Sequence, residues 1–152
     1  MPKINMYERD VPQEEQELLY VAGPYRADVP RLIQKNIMQA GDVALELWQQ
    51  GYAVICPHMN TALFDGCAPD DVWLKGDLTM LQRCDKLVLS FDWFSSSGTI
   101  AEIEFAQKHK IPVFVFETGA IEEVPYLRKF SQEDEDIIKV KAELKNWKNE
   151  RY

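Results

Sequence analysis

The 152-residue chain contains no run of about 18 or more apolar residues, so no segment is expected to span a membrane. Residues 1–16 are polar and acidic and lack the basic start and the apolar stretch of a signal peptide. Only three cysteines occur, Cys56, Cys67 and Cys84, and none has the C-x-x-C or zinc-binding spacing. These absences predict a cytoplasmic protein with reduced thiols that needs no metal and no other cofactor.

Positive charge is also scarce. The chain has 17 lysines and arginines against 25 aspartates and glutamates, which gives a formal net charge of −8 at pH 7. Nucleic acids bind to basic faces of proteins, so a nucleic acid is not an expected partner. A small anionic ligand needs only a cation or two and some backbone N–H groups, so the net charge does not exclude one.

Short apolar segments alternate with helical patterns along the chain. The predicted strands cover residues 18–22, 52–56, 86–91 and 113–116. The predicted helices lie between them, at about 30–50, 70–83 and 98–109. This alternation predicts an α/β fold, a doubly wound three-layer sandwich with a parallel sheet of four to five strands, Rossmann- or flavodoxin-like.

The remaining segments complete a single predicted domain, residues 1–152. Residues 58–69 are predicted to be a loop. Residues 131–152 are predicted to form a C-terminal helix that packs on this domain or on a neighbouring subunit. The helix side chains predicted to face the core include Trp48, Trp73, Leu74, Leu78, Leu81 and Trp147. Trp93 and Phe94 fit a core less well, and we consider that they could stack on a planar base.

Ligands of open parallel sheets bind beyond the carboxyl ends of the strands. Residues 23–26, 57–61 and 92–102 follow the first three predicted strands and should meet at that edge. The third segment, DWFSSSGTIAE, places three serines and a glycine before a helix, where backbone N–H groups and the helix dipole suit a phosphate. Glu102 lies in the first turn of that helix, beside the same cleft.

Each of these residues also has a purely structural interpretation. Thr99 and Glu102 have the spacing of a capping box, in which the glutamate would bond to the helix end. Arg26 could clamp a phosphate or be a solvated surface charge. Asp77 lies beside the apolar face of its helix, and His58 could contact a base, transfer a proton or only pack. No G-x-G-x-x-G motif follows the first strand, so a Rossmann dinucleotide site is not expected.

In their order and spacing, four stretches resemble the nucleoside 2-deoxyribosyltransferase family, which includes the 2′-deoxynucleoside 5′-monophosphate N-glycosidases. They are YVAGPYR at 20–26, Asp77, SSGTIAEIEFA at 96–106 and IPV at 111–113. The resemblance covers roughly residues 18–116. The chain departs from the family pattern at Glu104, where a glycine is usual, and at Pro24, where the monophosphate enzymes often have serine.

The resemblance implies that Glu102 is the nucleophile, that Tyr20 positions its carboxylate, and that Asp77 handles the proton of the leaving base. Ser96 stands where transferases of free nucleosides have an acidic residue, and Arg26 matches the phosphate-binding arginine of the monophosphate enzymes. The predicted substrate-binding residues are Gly23, Tyr25, Arg26, His58, Ser96, Ser97 and Gly98. The family also implies a homo-oligomer.

The expected function is therefore cleavage of the N-glycosidic bond of a (deoxy)nucleoside 5′-monophosphate, which releases the free base. A 2-deoxyribosyltransferase that exchanges bases between free nucleosides is one alternative. A non-catalytic nucleotide-binding or sensing module on the same fold is another, since a fold does not fix a function. A structural protein that acts through its tail helix is a third. The sequence leaves open the base, ribose or deoxyribose, and hydrolysis or transfer.

Overall fold

The computed structural model describes residues 16–119 and 124–151, with side chains described through residue 147. Five strands are present: β1 (Leu18–Ala22), β2 (Ala53–Ile55), β3 (Lys86–Leu89), β4 (Val113–Thr118) and β5 (Pro125–Lys129). The described residues also form five α-helices: α1 (Pro30–Gln49), α2 (Pro57–Asn60), α3 (Asp70–Gln82), α4 (Ser97–Lys108) and α5 (Gln132–Arg151). A 3-10 turn, Trp93–Ser95, precedes α4.

The strands form one sheet in the order β2-β1-β3-β4-β5. The first four are parallel, and β5 pairs antiparallel with β4. The predicted α/β class is confirmed, with helices packed against a five-stranded, mostly parallel sheet. The strand β5 was not predicted, because the sequence PYLRK starts with proline, carries two cations and has no continuous apolar run. Such a sequence suits the edge of a sheet, where one neighbour is enough.

Alternate residues of β1 point to the two faces of the sheet, as the pleat of a strand requires. Leu19 and Val21 pack with α1 in one apolar cluster. Tyr20 and Ala22 pack with side chains of α3 and α4 in the other. This alternation makes three layers, and it directs the Tyr20 side chain to the α3 and α4 side of the sheet.

Several predictions of buried side chains are wrong. Trp48 is 52% exposed, because it follows the fully buried Leu47 and therefore points about 100° away from the sheet. Leu74 and Trp147 are exposed as well. Trp93 lies in the core instead, so that it is not available to stack on a base.

Local features near the site also differ from the prediction. Residues 57–60, predicted to begin a loop, form the single turn of α2. Phe94 is partly buried, and the Lys141 ammonium lies 3.9 Å from its ring centroid, so α5 packs on the 3-10 turn. Within residues 16–119 and 124–151, no helix is long and apolar enough to cross a membrane.

Two glycines offer opposite tests of the local backbone. Gly51 follows α1 with φ +97°, a conformation that costs other residues about 1–2 kcal/mol, and no atom would obstruct an added Cβ. Gly51→Ala should therefore lower the free energy of unfolding by about that amount. Gly76→Ala, inside α3 and equally unobstructed, should raise it by about 0.5–1 kcal/mol through helix propensity. Urea denaturation measures both, and a loss of stability in both variants would contradict this assignment.

Candidate active site

A pocket of about 370 Å³ opens beyond the carboxyl ends of β1 and β2, between α3 and the start of α4. Its size is within the range of small-molecule sites, roughly 300–1,000 Å³. All ten site residues predicted from the sequence line it: Tyr20, Gly23, Tyr25, Arg26, His58, Asp77, Ser96, Ser97, Gly98 and Glu102. The structure thus brings these residues together, while the role of each stays a prediction.

The N-terminus of α4 forms one wall of the pocket. Ser96 is the N-cap, and its Oγ accepts a hydrogen bond of 3.2 Å from the Thr99 N–H. Thr99 lies inside the helix, so the capping box of Thr99 and Glu102 is not formed. The Ser96 hydroxyl can still donate its own hydrogen, since a hydroxyl is both donor and acceptor. The N–H groups of Ser97 and Gly98, in the first turn, have no intrahelical acceptor, and both residues line the pocket.

Glu102, Asp77 and Tyr20 form the acidic end of the pocket. Burial raises the pKa of Glu102 to about 7; the neighbouring Tyr20 hydroxyl opposes this increase and the negative charge of Asp77 adds to it. Burial also raises the pKa of Asp77 to about 6. These two carboxyl groups therefore both exchange protons near neutral pH, which is the range useful for acid–base chemistry.

Tyr20 is fully buried and keeps its proton. Burial, followed by the negative charges of Glu102 and Asp77, raises the pKa of its phenol far above the ordinary value. The hydroxyl lies close enough to Glu102 to stabilise the carboxylate, although it makes no hydrogen bond of full geometry to any described residue. A small approach between these two groups would complete that bond and satisfy a buried donor.

His58 holds the turn that follows β1. It is buried, and its Nε2 lies 3.0 Å from the Gly23 carbonyl and 2.9 Å from the Pro24 carbonyl. Two carbonyl acceptors require a hydrogen on Nε2, and burial lowers the pKa of the ring, so the imidazole is neutral with a free lone pair on Nδ1. Its ring packs edge-on against Tyr25 at 5.5 Å between ring centroids. His58 therefore positions residues 23–25, whatever it contributes to a ligand.

Two polar contacts cross the rim of the pocket. The Tyr25 hydroxyl donates to Asp65 at 2.8 Å, and Arg26 forms an ion pair of 2.7 Å with Asp70. The first contact joins the segment after β1 to the loop between α2 and α3, and the second joins it to the start of α3. The ion pair is open to solvent, with 68% of the Arg26 side chain and 57% of the Asp70 side chain exposed.

Several lining residues were missed at the sequence level. Asp65 stands next to a glycine as in an ordinary turn, and Asp70 begins a helix, where acidic residues are common, so each had a sufficient structural explanation. Trp73 was expected in the core but is partly buried at the pocket wall, 5.7 Å from the Phe64 ring. Only their meeting in space marks them as part of the site.

Charge in the pocket is predominantly negative. Among the described lining residues, Arg26 is the one formal cation, against the carboxylates of Asp65, Asp70, Asp77 and Glu102. In the described ranges, no three His, Cys, Asp or Glu side chains are grouped so that they could hold a metal ion.

Comparison with known proteins places this pocket in a family without an assigned activity. The family model described as "Domain of unknown function (DUF7768)" matches residues 17–116, which include all ten predicted site residues. No match was found among curated proteins. The fold is similar to the solved structure of a 2-deoxyribosyltransferase from the psychrotolerant bacterium Bacillus psychrosaccharolyticus, with a TM-score of 0.54 and 16% identity over 80% of this chain and 82% of that one. At this identity the similarity shows the fold alone.

Glu102→Gln tests the electrostatics of the pocket without any substrate. A carboxyl group whose pKa is raised by folding contributes stability that is complete below its unfolded pKa, near 4.5, and is lost as pH rises through about 7. The variant loses nothing in this window. As pH rises from about 5 to about 8, the free energy of unfolding of the variant should therefore increase by about 2–3 kcal/mol relative to that of the wild type. Urea denaturation at each pH measures this difference.

Glu104→Gln is the matched control, because Glu104 is exposed on the same helix and does not line the pocket. Its curve of stability against pH should run parallel to that of the wild type. A Glu102→Gln curve that also runs parallel to the wild type would show that Glu102 is not buried as described.

Proposed function

Because the chain belongs to the DUF7768 family, whose description states no activity, we propose its function from the pocket: cleavage of the N-glycosidic bond of a (deoxy)nucleoside 5′-monophosphate, with Glu102 as nucleophile. The observation that carries the proposal is that two carboxyls with raised pKa values, Glu102 and Asp77, and the N-terminus of α4 line one pocket. The similarity in fold to a 2-deoxyribosyltransferase and the sequence resemblance to that family support it.

The chemistry requires a carboxylate on the sugar and an acid at the base. The bond between C1′ and the base nitrogen breaks through an oxocarbenium-like state, as in glycoside hydrolysis, and its electron pair leaves with the base. The Glu102 carboxylate stabilises the cation and bonds to C1′, while Asp77 delivers a proton to the departing base. Water then attacks C1′ and gives a proton to the Asp77 carboxylate, while the bond between C1′ and Glu102 breaks and the sugar phosphate is released. A second base in place of water would make the reaction a transfer.

The proton balance of the pocket fits these roles once a sugar is present. In the ligand-free pocket the pKa values of both carboxyls are raised toward neutrality, so the pair can hold a proton near pH 7. Positive charge developing at C1′ favours the ionised form of Glu102, as does donation from the Tyr20 hydroxyl. The remaining proton of the pair is then best held by Asp77, from which the leaving base can take it.

The start of α4, which lines the pocket, suits the 5′-phosphate. The Ser97 and Gly98 N–H groups, the Ser96 hydroxyl and the positive end of α4 are all donors or partial positive charges. Arg26 lies on the rim of the same pocket and can form two parallel hydrogen bonds to a phosphate. The sugar would span the distance between this anion site and the acidic end.

A 2-deoxyribosyltransferase that acts on free nucleosides is the second candidate. It is favoured by the excess of carboxylates in the pocket and by the ion pair that already engages Arg26 with Asp70. A neutral 5′-hydroxyl could donate to Asp65 or Asp70, where a phosphate would be repelled. A non-catalytic nucleotide-binding module would use the same pocket and is distinguished by the absence of turnover.

Glu102→Gln should abolish release of free base. Purified protein is incubated with ribo- and deoxynucleosides and their 5′-monophosphates, with and without a second free base, and the released base is followed by chromatography. We expect release from deoxynucleoside 5′-monophosphates in the wild type and a loss of about 10³-fold or more in the variant, because the variant lacks the carboxylate assigned to capture C1′. Glu104→Gln should retain wild-type rates. Binding without turnover in the wild type would identify a binding module, and full activity in Glu102→Gln would exclude the assigned nucleophile.

Tyr20→Phe should shift the pH dependence of the reaction. Without the hydroxyl the pKa of Glu102 rises further, so the acidic limb of the kcat/KM profile should move to higher pH. The rate at its optimum should fall about 10–100-fold, the value of a hydrogen bond to a charged group. Stability should be unchanged or higher, since a buried hydroxyl without a full partner is removed. Tyr52→Phe, outside the pocket, is the control, and an unmoved profile in Tyr20→Phe would refute this positioning role.

A further inference from the structure

We infer that Asp70 determines how well the pocket accepts a phosphate, because it occupies the Arg26 guanidinium as an internal anion that the ligand has to displace. The Nη2 atom of Arg26 lies 2.7 Å from Oδ2 of Asp70, and both residues line the pocket. The inference rests on the proposed function in one respect, namely that Arg26 is the cation that a phosphate meets.

Arg26 has one anionic partner in the described structure, and that partner is a carboxylate of the rim. A phosphate that approaches the donors at the start of α4 competes with Asp70 for the same fork of N–H groups. Once displaced, the Asp70 carboxylate remains at the rim as a negative charge near the phosphate dianion. Asp70 therefore opposes phosphate binding twice, by occupying the arginine and by repulsion.

The exchange is feasible because the ion pair is exposed. Solvent-exposed pairs of this kind are weak, and strong ligand charges replace them readily. A ligand without a phosphate does not compete with Asp70 for Arg26 and leaves the ion pair in place. Asp70 thus penalises phosphate-bearing ligands selectively, and its substitution should change the preference of the pocket between a sugar and its phosphate.

Arg26 is attached to a firmly held turn, so its displacement is local. The preceding residues Gly23 and Pro24 are fixed by His58, and the Tyr25 hydroxyl is bonded to Asp65. Release from Asp70 therefore requires rotation of an exposed side chain and no movement of β1. The expected effect is on affinity and not on the fold.

The experiment measures binding of inorganic phosphate, 2-deoxyribose 5-phosphate and 2-deoxyribose by NMR titration, with no turnover required. Asp70→Asn should bind the two phosphates about three- to tenfold more tightly than the wild type, and 2-deoxyribose with unchanged affinity. Combining Asp70→Asn with Arg26→Gln should remove the gain. Unchanged or weaker phosphate binding by Asp70→Asn, or no phosphate binding by either protein, would overturn the inference.

Two matched variants separate this role from a general effect of charge. Asp71→Asn removes the same charge from the same first turn of α3, but Asp71 does not line the pocket and is not paired with Arg26. Asp65→Asn removes a carboxylate of the same pocket that contacts Tyr25 instead. The first should bind phosphate within about twofold of the wild type, and the second should gain less than Asp70→Asn. An equal gain in either control would contradict the specific role of Asp70.

Failure of the proposed function has a different signature. A wild-type protein that releases no base, together with tighter phosphate binding by Asp70→Asn, would refute the reaction and leave the role of Asp70 standing. Base release that depends on Glu102, together with unchanged phosphate binding by Asp70→Asn, would support the reaction and refute the role of Asp70.

Discussion

The site depends on two carboxyl groups that the fold places near each other and partly away from water. Removing a carboxylate from water is costly, and a second carboxylate nearby adds to the cost. Burial, with a contribution from the charge of Asp77, raises the pKa of Glu102 to about 7, and burial raises the pKa of Asp77 to about 6. A protein that keeps such a pair gives up stability at neutral pH, as is common where binding or catalysis requires it.

The secondary structure explains how the pair is held. Glu102 extends from the first turns of α4 and Asp77 from the middle of α3, while Tyr20 reaches them from β1 because its position in the strand faces that side of the sheet. A shift of one residue in the register of β1 would turn Tyr20 to the α1 side. The Ser97 and Gly98 N–H groups at the start of α4 add partial positive charge to the same pocket.

Much of the fold follows from the sequence, whereas the electrostatic balance of the site does not. Continuous apolar runs reveal parallel buried strands, so β1 is predicted to the residue. The strand β5 was not predicted, because an edge strand does not need a continuous apolar run. The ten residues predicted for the site, most of them through a family resemblance, all line the pocket, but Asp70 was not among them, since it pairs with a residue 44 positions away. Trp48 and Trp93 are misplaced because side-chain direction depends on packing that composition does not encode.

The most direct test of this account is the pKa of the Glu102 carboxyl group, measured by a carbon-detected NMR titration of the wild type and of Asp77→Asn. The account predicts a midpoint near pH 7 in the wild type and a lower midpoint in the variant, because one of the causes of the increase, the charge of Asp77, has been removed. A wild-type midpoint near 4.5, unaffected by the substitution, would mean that the carboxyls neither interact nor avoid water, and the proposed chemistry would lose its physical basis.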